Sequence, residues 1–476
     1  MPGMGPPRRV LMGLMFFPRG GSAQVTRYLA AALPPHGWAP TIVAGSLGAP
    51  GDESHAATFF AGLDVVPVPY DDALTADDPL RADPPMHPSF EDRPGAPDRV
   101  FASVDDATYE HLVEAWIGHL RRAGAEDADL LHLHHLTPLH EAAARAFPDK
   151  PVVGHLHGTE LLMLRAIEKG LHPGWPHADA WAERMRRWAG RCRRLFVLSP
   201  DGRRRAPALL GVEPEKTVWA PNGFDPEAFD RRPLSRAERL ALWREWLVED
   251  PRGWAPGGAP GSISYDEGDL EAFSGLGPVL LYVGRYTEVK RIPLLIRAYA
   301  RAQPHFEMRA PLVLLGGYPG EWEGDHPLAV IDELGVEDVF LAGWRGHGDL
   351  PRGLNAADVV VLPSVREQFG QVLVEGMACG LPVIAKDAYG PAEIVDHGET
   401  GWLVPPDDEE ALAGALVDAV NDAGKRARKG EAAYREARAR YAWPALAEKV
   451  AQVYEQVRSE PYAPAHVGDP VPNQAL

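Results

Sequence analysis

The chain has 476 residues, 45% of them hydrophobic and 24% charged, with a formal net charge of −19. This length exceeds one ordinary core and suits two α/β domains. The negative charge argues against a nucleic-acid binder and gives no attraction to anionic membranes. The two cysteines, Cys192 and Cys379, make neither a disulfide framework nor a cysteine metal site, and they fit a reducing cytoplasm.

The basic pair Arg8-Arg9 before the apolar run 10–17 has the look of a signal peptide. The run is short, however, no small-residue cleavage site follows, and Gly20-Gly21 comes next, so a first buried strand is the better reading. No stretch approaches the length of a membrane-spanning helix. A helix is predicted over 22–33, strands over 41–44 and 64–68, and a Pro- and Asp-rich loop or insertion over 69–101. Then come a helix near 109–122, strands 130–134 and 152–155 around a helix at 138–146, a helix at 178–191 and a strand at 195–198. The alternation implies a parallel sheet covered on both faces. It breaks over 231–277, where a charged helical piece and a Gly/Pro-rich run read as linker or insertion. It restarts with strands 279–283, 312–315, 339–341, 359–362 and 383–385 and helices 292–301, 328–334, 353–357 and 372–379. The tail beyond Pro461 is poor in apolar residues and is expected to fray. The architecture also suits a dehydrogenase, but neither GxGxxG nor GxxxxGK[ST] is present, and fold alone does not give chemistry.

The densest chemistry lies in SVREQFGQVLVEGMACGLPVIA, residues 364–385. Glu367 follows a buried strand, and Glu375 lies eight residues on, within the next helix. Phe369, Gly370 and Gln371 fall at that helix's start, where free backbone N–H groups favour anions and a glycine admits close approach of a ligand. A carboxylate before the turn can accept sugar hydroxyls, and one inside the helix can grip a diol such as ribose. In VGRYTEVK, Arg285 and Lys290 follow a strand end, where two fixed cations can clamp a diphosphate.

Glu367-x7-Glu375 in this setting resembles the family 4 retaining glycosyltransferases, the glycosyl transferases of group 1. The resemblance covers most of the chain and includes GGSAQVTRYLAAAL, LLHLHHLTP, HLHGTEL, LFVLSP, APNGFDPEAF, LYVGRYTEVKRIPLLIRAY, FLAGW, AADVVVLPS and ETGWLVPP. It implies an α/β GT-B fold, two Rossmann-like doubly wound domains facing a central cleft. The first would span 1–230 and bind the acceptor. The second would span 278–440 and bind the nucleotide sugar. A last helix near 441–460 would pack back on the first domain. The implied reaction moves a hexosyl group, with retention, from a nucleotide diphosphate sugar to a hydroxyl-bearing small molecule or glycan. UDP is favoured and GDP is next, with no metal or other cofactor. By resemblance Arg285 and Lys290 bind the diphosphate, Gly21 approaches it, the backbone near Trp344 and Arg345 flanks the base, and His157 meets the donor sugar's primary hydroxyl. Arg291 departs from a common glycine, and 69–101 and 254–277 also depart from the family.

Other readings compete for some residues. His132, His134, His155 and His157 offer two H-x-H pairs, the best basis for a rival, amidohydrolase-like metal enzyme, although structural or acceptor-pocket roles are the better reading of His132, His134 and His155. A non-catalytic nucleotide-sugar-binding protein is a second alternative. A glycan phosphorylase is a third, without a convincing cofactor-lysine context. The Arg-rich segment 184–205 reads first as a solvated helix face and second as a site for a phosphate-bearing acceptor. Asp127-Ala128-Asp129 reads as a polar lead-in to a strand rather than a metal site.

Overall fold

The computed structural model describes residues 6–18, 20–91, 98–170, 174–320, 322–367 and 369–461. The chain divides into two compact units, one running to Pro221 and resuming at Trp443, the other spanning Asn222–Ala442.

In the first unit, β1 (Arg8–Leu14), β2 (Trp38–Ser46), β3 (Asp64–Pro69), β4 (Leu130–His134), β5 (Val152–Leu156), β6 (Arg194–Val197) and β7 (Thr217–Trp219) form one sheet in the order β3-β2-β1-β4-β5-β6-β7. All its pairs are parallel. The helix Trp443–Ser459 returns to this unit. Its Leu446, Val450 and Tyr454 share a buried cluster with Met12, Leu14 and Phe196, and Tyr454 meets Trp38 edge-on at 4.9 Å. The apolar stripe of that helix explains the return, since it needs a sheet face to cover.

In the second unit, β8 (Leu280–Val283), β9 (Leu312–Leu315), β10 (Val339–Gly343), β11 (Val359–Leu362), β12 (Val383–Lys386) and β13 (Gly401–Val404) run β10-β9-β8-β11-β12-β13, again all parallel. Runs such as Leu312–Leu315 and Val359–Leu362 are buried at every position. A parallel sheet covered on both faces selects such unbroken apolar runs over alternation. The strand order reverses between β1 and β4 and between β8 and β11, the points at which doubly wound sheets open a crevice at their carboxyl ends.

The stretch 231–277 is not a free linker. A Ser235–Glu238 capping box starts the helix Arg236–Arg244. Trp243, Trp246 and Trp254 are fully buried, and Arg239 pairs with Asp358 just before β11. Its glycines and prolines read as linker because the tryptophans that anchor it have no helical or strand period. Within 69–101, Leu80, Met86 and Phe90 pack into the first unit's core, so this segment is part of the domain's body. Residues 92–97 and the tail beyond Pro461 lie outside the described residues.

Candidate functional site

Both of the densest motifs occupy strand carboxyl ends beside the reversal of the second sheet. β8 leads into the loop of Arg285 and Lys290, and β11 leads into Glu367 and Gly370. Lys290 Nζ donates to Glu367 Oε2 at 2.5 Å, with the two side chains 21% and 19% exposed. Arg285 is exposed, and no salt bridge engages it among the described residues. Its carbonyl accepts from the buried Tyr282 hydroxyl at 3.0 Å, which pins the turn. Arg291 adopts φ 56°, in the left-handed region. A side chain there costs about 1–2 kcal/mol, which is the physical reason for a glycine at this place. Here Arg291 is held by Asp407 at 2.9 Å and by the Glu288 carbonyl at 3.2 Å.

Gly370 takes φ 98° at the N-cap of the helix Gln371–Ala378, a conformation that suits glycine. A Cβ there would also come within 3.1 Å of Leu373 Cδ1. Phe369 is buried against Tyr441, ring centroids 5.9 Å apart. Gln371 Nε2 donates to the Gly223 carbonyl at 2.8 Å and to Glu375 Oε1 at 3.2 Å. Glu375 is buried, and His347 Nε2 lies 3.1 Å from the same Oε1. Both contacts fall on one oxygen, so Oε2 has no partner among the described residues.

Trp344 and Arg345 follow β10 but face different ways. Trp344 is 46% exposed and lies edge-on to the exposed Tyr318, centroids 6.4 Å apart. The Arg345 side chain is turned inward, only 2% exposed, with Nη1 on Asp250 at 2.6 Å and Nη2 on the Trp246 carbonyl at 3.0 Å. The guanidinium fastens 231–277 to the second sheet, and the backbone at Trp344–Arg345 is the part available to a ligand.

In the first unit Gly21 opens the helix Gly21–Ala32, with clear space where a Cβ would stand; Arg19 lies outside the described residues. His157 follows β5. Its Nε2 lies 3.0 Å from His134 Nδ1, and its amide donates to Glu160 Oε2 at 3.2 Å. Behind it His132 Nε2 meets His155 Nδ1 at 3.2 Å, and His132 Nδ1 meets the Tyr454 hydroxyl at 2.5 Å. Burial, then neighbouring imidazoles, pushes His132, His134 and His157 well below the usual histidine range, and His155 to about 3.

Ring nitrogens of His132, His134 and His155 all lie within 4.8 Å of one another. The rings are nevertheless stacked, with centroids 4.6–5.3 Å apart and interplanar angles of 8–19°. Both nitrogens of His132 and the Nδ1 atoms of His134 and His155 are engaged in hydrogen bonds, while His134 Nε2 and His155 Nε2 have no partner among the described residues. The described residues thus show a neutral group of buried histidines joined by hydrogen bonds in pairs.

The Arg-rich segment is largely paired within the chain. Arg184 is buried, lies 3.9 Å over the Tyr109 ring and pairs with Asp106, while Arg191 reaches Glu141 at 3.1 Å. Asp129 accepts from the Arg9 amide at 2.8 Å and Asp127 pairs with Arg9 at 3.6 Å, tying the starts of β1 and β4 together. No helix among the described residues is long and apolar enough to cross a membrane.

A model of glycosyl transferases group 1 matches residues 271–436, and one of glycosyltransferase family 4 matches 19–228. An uncharacterized glycosyltransferase of Methanocaldococcus jannaschii is 33% identical over 334 residues, 70% of this chain and 76% of that protein. A D-inositol 3-phosphate glycosyltransferase of Kineococcus radiotolerans is 33% identical over 278 residues, 55% of this chain. The matches span only about half the length of such relatives, 57% and 50% for two of them. HepE of Anabaena, solved with UDP-glucose, superposes with a TM-score of 0.61 at 20% identity, over 94% of this chain and 99% of its own.

Proposed function

Because the chain belongs to the family 4 glycosyltransferases and carries their GT-B fold, we propose that it moves a hexosyl group from a nucleotide diphosphate sugar to a hydroxyl acceptor with retention. One observation carries this reading. Along the carboxyl rim β10-β9-β8-β11, one sheet edge presents the exposed Trp344 and Tyr318, then Arg285, then the Lys290–Glu367 pair and the helix start at Gly370. That order matches base, diphosphate and sugar in turn.

In this reading Arg285, Lys290 and the amides at Phe369–Gln371 stabilise the charge that builds on the departing diphosphate. Glu367 holds donor hydroxyls, the Oε2 of Glu375 accepts from ribose, and the backbone at Trp344–Arg345 flanks the base. Gly21 lets the backbone approach the diphosphate, and the neutral His157 imidazole serves the sugar's primary hydroxyl. The C1–O bond to the diphosphate breaks and a C1–O bond to the acceptor forms on the same face, while the acceptor's proton passes to the leaving phosphate oxygen. No covalent nucleophile is assigned, since Glu367 is tied to Lys290 and Glu375 is buried. The two cations and the helix amides supply the charge that a metal would otherwise bring, so the reaction is metal-independent. Free, buried Cys192 and Cys379 support cytoplasmic residence.

HepE's UDP-glucose makes UDP-hexoses the first donors to try, with GDP-hexoses next. The names of the inositol-phosphate relatives make inositol phosphate the first acceptor. A donor screen by thermal shift, followed by mass spectrometry of products from an acceptor library, tests the proposal. Stabilisation by a nucleotide diphosphate sugar and a product heavier by one hexosyl unit are expected. Absence of both across the UDP and GDP panels would overturn it.

A further inference from the structure

At the opposite end of the first sheet lies a cavity of about 260 Å³, bordered by Val152 at the start of β5, Arg194 at the start of β6 and Lys216 just before β7. His157 follows the other end of β5, so the cavity stands a strand length, about 13 Å, from the candidate sugar contact. Its size lies near the lower end of the range of about 300–1,000 Å³ typical of drug-sized ligands, which suits a molecule smaller than a nucleotide sugar.

The charge around the cavity is the reverse of the chain's. Lys150, Arg191, Arg193, Arg194 and Lys216 line it against one carboxylate, Glu460, in a protein of net charge −19. Arg191 and Arg194 have carboxylate partners, Glu141 and Glu460. Lys150 and Lys216 donate instead to the carbonyls of Ala128 at 2.7 Å and Gly190 at 2.5 Å. A carbonyl satisfies an N–H but does not neutralise the ammonium.

The walls are apolar, including Phe147 and Trp188. Among them His140 is 4% exposed, and its Nε2 has no hydrogen-bond partner among the described residues. Its Nδ1 is likewise without a hydrogen-bond partner among the described residues. Burial lowers its pKa to about 4, so the ring is neutral near pH 7 and able to bond a ligand's polar group. Gly154 packs closely beside Nε2: a Cβ there would come within 3.5 Å of it, 3.2 Å of Cys192 Sγ and 2.8 Å of Leu195 Cδ2. A buried polar atom left without a partner costs about 1–3 kcal/mol, a cost that a ligand removes.

We propose that this cavity is a second ligand site, taking a small flat apolar molecule that bears a carboxylate or phosphate. The anion meets Lys216 and Lys150, the ring packs on Trp188 and Phe147, and a polar atom reaches His140 Nε2. Calorimetry on the full chain with saturating UDP tests this, using indole-3-carboxylate, phenyl phosphate and neutral indole as probes. At least one anionic probe is expected to bind, with neutral indole weaker by about tenfold or more. The stronger of the two anionic probes identifies the acid. Lys216→Gln should weaken that probe by about tenfold, and Ala144→Phe, which fills the cavity from its wall, should abolish binding. The proposal is overturned if neither anionic probe binds, if indole binds equally well, if UDP displaces the probe, or if both variants bind like wild type.

Discussion

Replacing Lys290 by alanine removes the cation 2.5 Å from Glu367 Oε2 and separates catalysis from stability. Both side chains are about a fifth exposed, so their pairing resembles a surface ion pair more than a buried one and contributes about 1 kcal/mol or less to folding. In the transition state the same ammonium faces charge building on the diphosphate, where a desolvated contact is worth about 2–4 kcal/mol. That difference corresponds to about 30- to 900-fold in kcat/KM, against a fall in Tm of only a few degrees. Arg285→Ala should show a comparable loss in kcat/KM with almost no change in Tm, because its guanidinium has no salt-bridge partner among the described residues. The assay is the initial rate of UDP release at subsaturating donor, alongside thermal melts followed by circular dichroism. Near-normal kcat/KM in both variants would refute the diphosphate assignment. A large loss matched by gross unfolding of Lys290→Ala would assign the lysine to folding instead.

Glu375→Ala should weaken binding of free UDP by about 1.5–3 kcal/mol, while Glu367→Ala should bind it as well as wild type, since free UDP lacks the sugar and Lys290 is released; calorimetry showing the reverse, or equal losses, would mean that the two carboxylates are misplaced. Activity should survive EDTA, and abolition by EDTA with recovery on Mg²⁺ or Zn²⁺ would count against a charge scaffold made of Arg285, Lys290 and helix amides. His132, His134 and His155 are held neutral by burial, with His155 at about 3 in the folded state against about 6.5 unfolded. The unfolded chain therefore binds more protons below pH 6.5, and stability is full above that pH and falls as pH drops, by about 1.4 kcal/mol per pH unit for each histidine; a flat Tm between pH 7 and 5 would contradict this. Arg345→Ala should cost about 1–3 kcal/mol of stability through loss of the Asp250 and Trp246 contacts, with donor KM little changed at low temperature; a KM defect without a Tm change would place the Arg345 side chain at the base site.

The parts of the site legible in sequence are those in which short-range pattern and position coincide. A buried run such as Val359–Leu362 followed by Glu367 and Gly370 already specifies a strand, a turn and a helix start, and the structure places them in that order. The β8 run likewise positions Arg285 and Lys290. What sequence did not reveal depends on distant partners. Tyr454 reaches His132 from 322 residues away, so the hydrogen bonds that hold the inner histidines could not be read from their spacing. Arg345 turns inward because Asp250 and Trp246 come from a segment whose glycines and prolines read as linker. The strand Thr217–Trp219 is three residues long, too short to carry a period, and only its edge pairing with β6 defines it.

The most direct test of the central claim is the anomeric configuration of the product, followed by NMR as UDP-α-glucose and an inositol phosphate or glycan acceptor are incubated with the enzyme. Retaining transfer should give release of UDP that depends on acceptor and a new glycoside with the α configuration of the donor. A β-linked product, or no transfer to any acceptor by protein that binds the donor, would contradict it.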